Sequence, residues 1–450
     1  MKILLVSANT LKVPYPVYPI GLDHVAASLD ARHRVRIADL NVTNGVEALI
    51  DAIGRFAPDL VGISLRNVDN TDTTDPAGYI GGYRSVVEAV RRTTDAPVVL
   101  GGSGFTLFPR QIMRALSADY GIVGEGERLN LLIDALEAGS DPTGLPGVVL
   151  DAAAPVNLPP PWQGERRARP EEPPGHLAWY LSHGAMLNLQ TKRGCPFRCI
   201  YCTYPLIEGR RVRLVEPMAA ARTALALEKA GARYLYITDS SFNADIEHSL
   251  AVARAFKRIG LSIPWGAFFT PLALPDGYFD TLAEAGLQHV EFGTDALCDT
   301  VLKAYGKPFG VAQVTAAHDA ALAAGRHVAH YLLLGGPGET EPSLEETLAV
   351  AAGLRRTVLF LFCGMRVYPQ TALWRQSIAA GSLTAESDLI DPVFYRSATL
   401  CPEAVQRRVA ETAGGRGNWV VGAGGDATAA IIERMYAKGF SGPLWEYLIR

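Results

Sequence analysis

The run Lys192-Arg193-Gly194-Cys195-Pro196-Phe197-Arg198-Cys199-Ile200-Tyr201-Cys202 follows directly on an alternating, strand-like stretch, Ala185-Met186-Leu187-Asn188-Leu189-Gln190. Three cysteines this close on one loop can hold three irons of a 4Fe–4S cluster and leave the fourth iron open. The open corner matters, because a cluster with four protein ligands mostly carries electrons whereas one with three can bind a substrate. A zinc knuckle needs a fourth Cys or His at short spacing, and none follows nearby. A disulfide would leave one of the thiols unpaired.

Downstream of the loop the chain repeats a strand–helix unit. Strands are expected at 186–190, 234–238, 265–269, 289–292, 331–334 and 358–362. The amphipathic helices between them run into Gly231, Gly260, Gly286 and Gly325, and glycine is the usual stop just past a helix. Six such strands predict a partial (β/α)6 barrel over residues 185–383, with its chemistry at the strand carboxyl ends. Beyond Leu383 the pattern stops. Residues 384–450 are expected to form a small helical C-terminal cap at the barrel mouth, with Trp419, Tyr436 and Trp445 as packing anchors.

Upstream, residues 1–150 alternate doubly apolar strands (3–7, 35–38, 60–64, 98–100, 120–123) with helical stretches. That pattern predicts a doubly wound parallel sheet, Rossmann-like in layout, so the whole chain is α/β. Ligands of such sheets sit at the strand carboxyl ends. There the sequence places Asn9, then Ser64-Leu65-Arg66-Asn67, Gly101-Gly102-Ser103-Gly104 and Gly124-Glu125. The glycines offer little bulk, which suits close approach of a ligand to backbone. They are not a dinucleotide fingerprint, which belongs after the first strand. Residues 151–184 carry Pro155, Pro159, Pro160, Pro161, Pro170, Pro173 and Pro174 and read as a semi-rigid connector, with a disordered linker as the alternative.

The Cys-x3-Cys-x2-Cys loop, with Tyr201 before its last cysteine and a strand before it, resembles that of the radical S-adenosylmethionine family. The pairing of Ser64-Leu65 with Gly101-Gly102, and Gly-x-Gly-Glu after the last strand, is similar to the cobalamin-binding domain in front of many members. The resemblance implies three cofactors: a 4Fe–4S cluster on Cys195, Cys199 and Cys202, S-adenosylmethionine, and cobalamin. For S-adenosylmethionine it implies contacts from Tyr201, Asp239, Ser241, Glu291, Thr294, Asp295, Gly335, Gly336 and Arg366. A helix N-cap is the competing role for Ser241, and a strand-capping arginine for Arg366. For cobalamin it implies Asn9, Ser64, Leu65, Arg66, Asn67, Gly101, Gly102, Ser103, Gly104, Gly124 and Glu125. Residues 8–19 contain no histidine, so no histidine is expected on the cobalt.

The activity this implies is methylation of an unactivated carbon of a small metabolite, through a 5′-deoxyadenosyl radical and methylcobalamin. A methyl-free rearrangement, cyclisation or ring contraction is the alternative within the class, and an iron–sulfur electron-transfer or binding module the alternative outside it. An electron donor such as flavodoxin or ferredoxin is implied as partner. Charge is nearly balanced, 42 basic against 46 acidic residues, which gives no pointer to nucleic acid or an anionic membrane. No apolar run is long enough to span a bilayer. Only six cysteines occur, which fits a reducing cytoplasm.

Overall fold

The computed structural model describes residues 1–449 except 44, 74, 152, 154–158, 161–174 and 423–425. Most of the expected proline connector, including Pro155, Pro161, Pro170, Pro173 and Pro174, lies outside the described residues.

The N-terminal sheet has six strands in the order Arg34–Asp39, Lys2–Ser7, Leu60–Ser64, Val98–Gly101, Tyr120–Ile122, Val148–Val149. The first five are parallel and the last is antiparallel. Alternation along each strand divides the apolar side chains between two layers. Ile3, Leu5, Leu60, Val99 and Ile122 pack with Leu22, Leu132 and Ile133 of the helices Ile20–Ser28 and Leu129–Glu137. Leu4, Val6, Val61, Ile63 and Leu100 face the opposite layer, with Ile53, Val86 and Ile112 from three other helices. The chain reverses direction across the sheet at Lys2–Ser7, and Ser7 aligns with Ser64, which aligns with Gly101. The loops after these strands therefore share one edge.

The second sheet has seven parallel strands, one more than the sequence predicts. Its order is Trp419–Val421, Thr357–Cys363, His327–Leu334, Leu287–Asp295, Trp265–Phe269, Tyr234–Ile237, Met186–Leu189. The additional strand, Trp419–Val421, comes from the region expected to be helical and pairs with Leu359–Leu361. Three residues between glycine-rich segments carry too little periodicity to read as a strand, and only the waiting edge of Thr357–Cys363 makes them one.

The C-terminal segment also departs from expectation. Part of it does reach the mouth, where Arg366 forms a bridge with Phe394. The last turn, Leu444–Leu448, instead seals the opposite end of the barrel. Trp445 packs with Ala329, Val358 and Phe360 and donates its indole N–H to Glu291 at 3.0 Å. Glu446 accepts from the Tyr234 hydroxyl at 2.7 Å and pairs with Nδ1 of His289 at 3.1 Å and with His327. Burial alone would raise the Glu446 carboxyl, but the hydrogen bonds from His289 and His327 outweigh it and hold the group at about 2. A depressed acid stabilises the fold above its unfolded value of 4.5 and loses that contribution as pH falls toward the folded one. Glu446→Gln is therefore expected to cost about 3 kcal/mol at neutral pH. In urea unfolding across a pH series the gap from the native chain should narrow below about pH 4.5; a pH-independent gap would contradict this.

The two halves share one apolar core. Leu65, Val68 and Phe105 of the first belong to the same buried cluster as Ile200, Leu297, Tyr305 and Leu361 of the second. Buried polar links add direction: Arg366 Nε to Asp69 at 2.8 Å, the Tyr180 hydroxyl to Asp39 at 2.8 Å, and Arg213 to Glu125 at 2.7 Å. Together they hold the carboxyl-end loops of the first sheet against the mouth of the second.

Candidate functional site

The cysteine loop leaves the strand Met186–Leu189 through a short hairpin, Lys192–Arg193 paired with Arg213–Leu214. Asp239, just past the strand Tyr234–Ile237, sits beneath it. Its carboxylate accepts from the Thr191 N–H and hydroxyl (2.7 and 2.5 Å), the Lys192 N–H (3.2 Å) and the Lys192 ammonium (2.8 Å). Glu208 holds the next step, accepting from the Gly194 N–H at 3.1 Å and from Gln190 at 3.2 Å. At Gly194 φ is +90° and a Cβ would lie 2.2 Å from the Arg211 carbonyl, so only glycine fits. Further along, the Ile200 N–H donates to Tyr305 O at 3.0 Å and its own carbonyl accepts from Leu373 N–H at 2.9 Å.

Cys195, Cys199 and Cys202 are all free thiols. Burial, then the neighbouring Cys199 thiol, pushes Cys202 up to about 12, and burial raises Cys199 as well. Such crowded thiols are poor anions on their own and become thiolates when a cation shares the site. Among the described residues, no three Cys, His, Asp or Glu side chains gather as a single-ion site. Three thiol donors on one loop suit a cluster that takes one thiolate per iron.

Most of the residues expected to touch S-adenosylmethionine lie at the mouth, and most have protein partners. Tyr201 donates its hydroxyl to Asp295 at 2.5 Å, and Lys307 closes the clamp on the same carboxylate at 2.6 Å. Ser241 bonds Asn243 and Thr270 at 3.0 and 2.8 Å, and Thr294 pairs with His330 at 2.7 Å. Four of these residues are met by protein groups. Asp239 is consumed by Thr191 and Lys192. Glu291 lies deep in the barrel, between Tyr236 (3.0 Å) and Trp445, where burial raises its carboxyl. Arg366 spends its guanidinium on Asp69, Leu389 O (2.6 Å) and Val367 O (2.7 Å), so it joins the domains. Gly336 owes its lack of a side chain to Tyr305 and Met365, whose atoms would lie 2.4 and 2.6 Å from a Cβ. These partners are distant in sequence, so strand-end position alone does not reveal them. Room for a ligand's donor remains at Glu339. One of its oxygens accepts from Gly335, the other is buried without a partner, and burial lifts the group to about 7.

On the facing domain, the amide nitrogen of Asn9 is buried without a hydrogen-bond partner, which suits the carbonyls fringing a corrinoid. Arg66 is exposed, and Ser103 donates to its carbonyl at 2.7 Å. Two of the glycines also pack against the neighbouring loop. A Cβ on Gly102 would lie 2.6 Å from Leu65 O, and one on Gly104 3.1 Å from the same atom, so their smallness serves the neighbouring loop. Gly101 has nothing closer than 3.8 Å and stays open. Glu125 turns to Arg213 and to Arg193 (3.3 Å), and Gly124 donates to Thr106 at 3.0 Å. Lys307, Glu208 and Asn243 were missed from sequence, because nothing local distinguishes them from surface residues.

Residues 6–132 match the B12 binding domain family and residues 189–351 the Radical SAM superfamily. The chain is similar to the uncharacterized methyltransferase PH0819 of Pyrococcus horikoshii, 27% identical over 413 residues, 88% of each chain. It is similar to tryptophan 2-C-methyltransferase of Streptomyces laurentii, 24% identical over 436 residues, 81% of this chain and 73% of that one. Among solved structures it is similar to the radical S-adenosylmethionine methyltransferase TsrM of Kitasatospora setae with tryptophan and a cofactor analogue bound. The TM-score is 0.88 at 23% identity, covering 99% of this chain and 97% of that one, which establishes a shared fold.

Proposed function

We propose that this chain, a cobalamin-dependent radical S-adenosylmethionine protein by its two matched domains, methylates a carbon atom of a small metabolite in the cytoplasm. The observation that carries the reading is the juxtaposition of two carboxyl-end faces, one bearing three free thiols, Cys195 buried and Cys199 and Cys202 half-buried, and the other an open Gly101 and an unpartnered Asn9. When bound, the cluster and S-adenosylmethionine supply one-electron chemistry at carbon, and cobalamin supplies a methyl carrier.

The chain's own residues do the holding. Cys195, Cys199 and Cys202 would take three irons, and Asp239 and Glu208 fix the loop on which they ride. The clamp of Tyr201, Asp295 and Lys307 braces the segment between the last two cysteines. Glu339 offers a buried acceptor near the strand end Gly335. Asn9, Ser64, Leu65, Arg66, Asn67, Gly101 and Ser103 would border the corrinoid, and the shared core keeps that face on the barrel mouth. Holding two reactants in one cavity is itself a large share of such catalysis.

The relatives named as methyltransferases favour methyl transfer over rearrangement. Counting products decides between them. With labelled S-adenosylmethionine, cobalamin and a panel of small metabolites, each product is expected to appear with one S-adenosylhomocysteine and one 5′-deoxyadenosine. Product with 5′-deoxyadenosine but no S-adenosylhomocysteine over several turnovers would favour ring contraction or cyclisation.

A further inference from the structure

The hairpin that leads into the cysteine loop is held by charges from both domains. It has only two residue pairs, and in one of them Arg193 and Arg213 lie directly opposite each other. A ladder that short does not hold itself in water, so contacts from elsewhere must fix it. Glu208, from the same loop, supplies one set. Its carboxylate lies 3.4 Å from Arg193 Nε and accepts from the Gly194 N–H at 3.1 Å, and its carbonyl accepts from Arg213 at 2.7 Å. Glu125 supplies the other set, from the first domain. Its carboxylate, 3% exposed, lies 2.7 Å from Arg213 and 3.3 Å from Arg193. Two cations and two anions thus form a balanced, nearly buried ring, where screening by salt is weak. The ring abuts Cys195, whose N–H donates to the Gly209 carbonyl next to Glu208 at 3.1 Å. Glu125 is anchored on its other side too. Thr106 accepts from the Gly124 N–H at 3.0 Å and donates its hydroxyl to Gly102 O at 2.9 Å. A continuous line of polar contacts therefore joins the Gly101 to Gly104 loop, on the corrinoid face, to Cys195.

We propose that Glu125 is a positioning residue that couples the cysteine loop to the corrinoid site. The inference rests on the cofactor reading above. One consequence is geometric. A corrinoid that settles the Gly101 to Gly104 loop settles Gly124 and Glu125, and with them the hairpin ahead of Cys195. Such coupling is reciprocal, so a loaded cysteine loop tightens corrinoid binding by the same factor. The other consequence is electrostatic. Reduction adds one negative charge to a cluster, and Glu125 offsets one of the two guanidinium charges beside it. A neutral Gln at this position leaves net positive charge next to Cys195, which favours the reduced state, and burial keeps that effect from being screened away.

The test uses the full chain, with iron and sulfide restored or removed by chelator, and hydroxocobalamin as the corrinoid probe. Hydroxocobalamin affinity is read by absorbance titration. The cluster midpoint potential is read by electron paramagnetic resonance during a dithionite titration. The native chain is expected to bind hydroxocobalamin about fivefold or more tightly with iron and sulfide than without. In E125Q that ratio should fall toward unity and the midpoint potential should move positive. E284Q, which breaks the exposed Lys257–Glu284 pair at 2.7 Å, should match the native chain in both readings. A purely structural role for Glu125 would lower the urea midpoint of E125Q and leave the ratio and the potential native-like, which overturns the proposal. So would a native chain whose hydroxocobalamin affinity is the same with and without iron. Should E125Q fail to hold iron, E125Q/R213Q removes both charges of the closest pair. A ratio near unity there supports the proposal, and a native-like ratio overturns it. A wrong cofactor reading shows itself differently, as a native chain that takes up neither iron nor hydroxocobalamin.

Discussion

Cys195, Cys199 and Cys202 replaced together by Ala should leave a folded chain without iron–sulfur absorption and without cleavage of S-adenosylmethionine. The remaining thiols offer no substitute. Burial pushes Cys363 up to about 12, and its carbonyl is occupied by Thr73. Cys298 is buried beside Thr300, at 3.7 Å, and Cys401 is exposed at the start of the helix Pro402–Ala413. Cys298→Ala and Cys401→Ala should therefore keep full iron content. Folding of the triple variant is checked by its urea midpoint, since the loop is also held by Asp239, Glu208 and Tyr305. Four-iron absorption persisting in the triple variant would refute the assignment of ligands.

The second large effect is expected at Lys192. Its side chain and that of Asp239 are completely buried, 2.8 Å apart, and the ammonium also donates to Phe242 O at 2.5 Å. Lys192→Met leaves a buried carboxylate supported only by Thr191 and one backbone N–H. Removing one partner of such a pair costs about 3–5 kcal/mol, because the surviving charge stays desolvated. The hairpin start of the cysteine loop should loosen with it, so iron retention on gel filtration should fall. Adding Asp239→Leu to Lys192→Met should recover part of the stability but not the iron, since the loop's anchor is then gone. A loss under about 1 kcal/mol for Lys192→Met would mean that water reaches the pair.

Buried polar pairs show what position in sequence does not reveal. Asp239, Glu291 and Arg366 each occupy the kind of polar strand position that holds ligands in many parallel sheets. In this chain each is met by a group from another segment: Lys192, Trp445 and Asp69. Glu125 likewise serves Arg193 and Arg213 across the domain boundary. A buried charge needs a partner, and no local pattern announces that the partner lies up to 297 residues away.

Periodicity and spacing, by contrast, were sufficient for the architecture. Doubly apolar strands at 3–7, 60–64 and 98–100 dictate burial on both faces, and so a parallel sheet between helix layers. Three cysteines within eight residues after a strand are a local signal complete in itself. The seventh strand, Trp419–Val421, and the sealing of the barrel floor by Trp445 and Glu446 are different. A three-residue strand exists only because a sheet edge awaits it, and a one-turn plug only because two histidines and a tyrosine converge where it lands. Local sequence thus determined the sheets, the helices and the three-cysteine loop. Which polar groups neutralise one another, and which remain open to a ligand, were decided by tertiary packing, because the energy of a buried charge depends on what surrounds it in space.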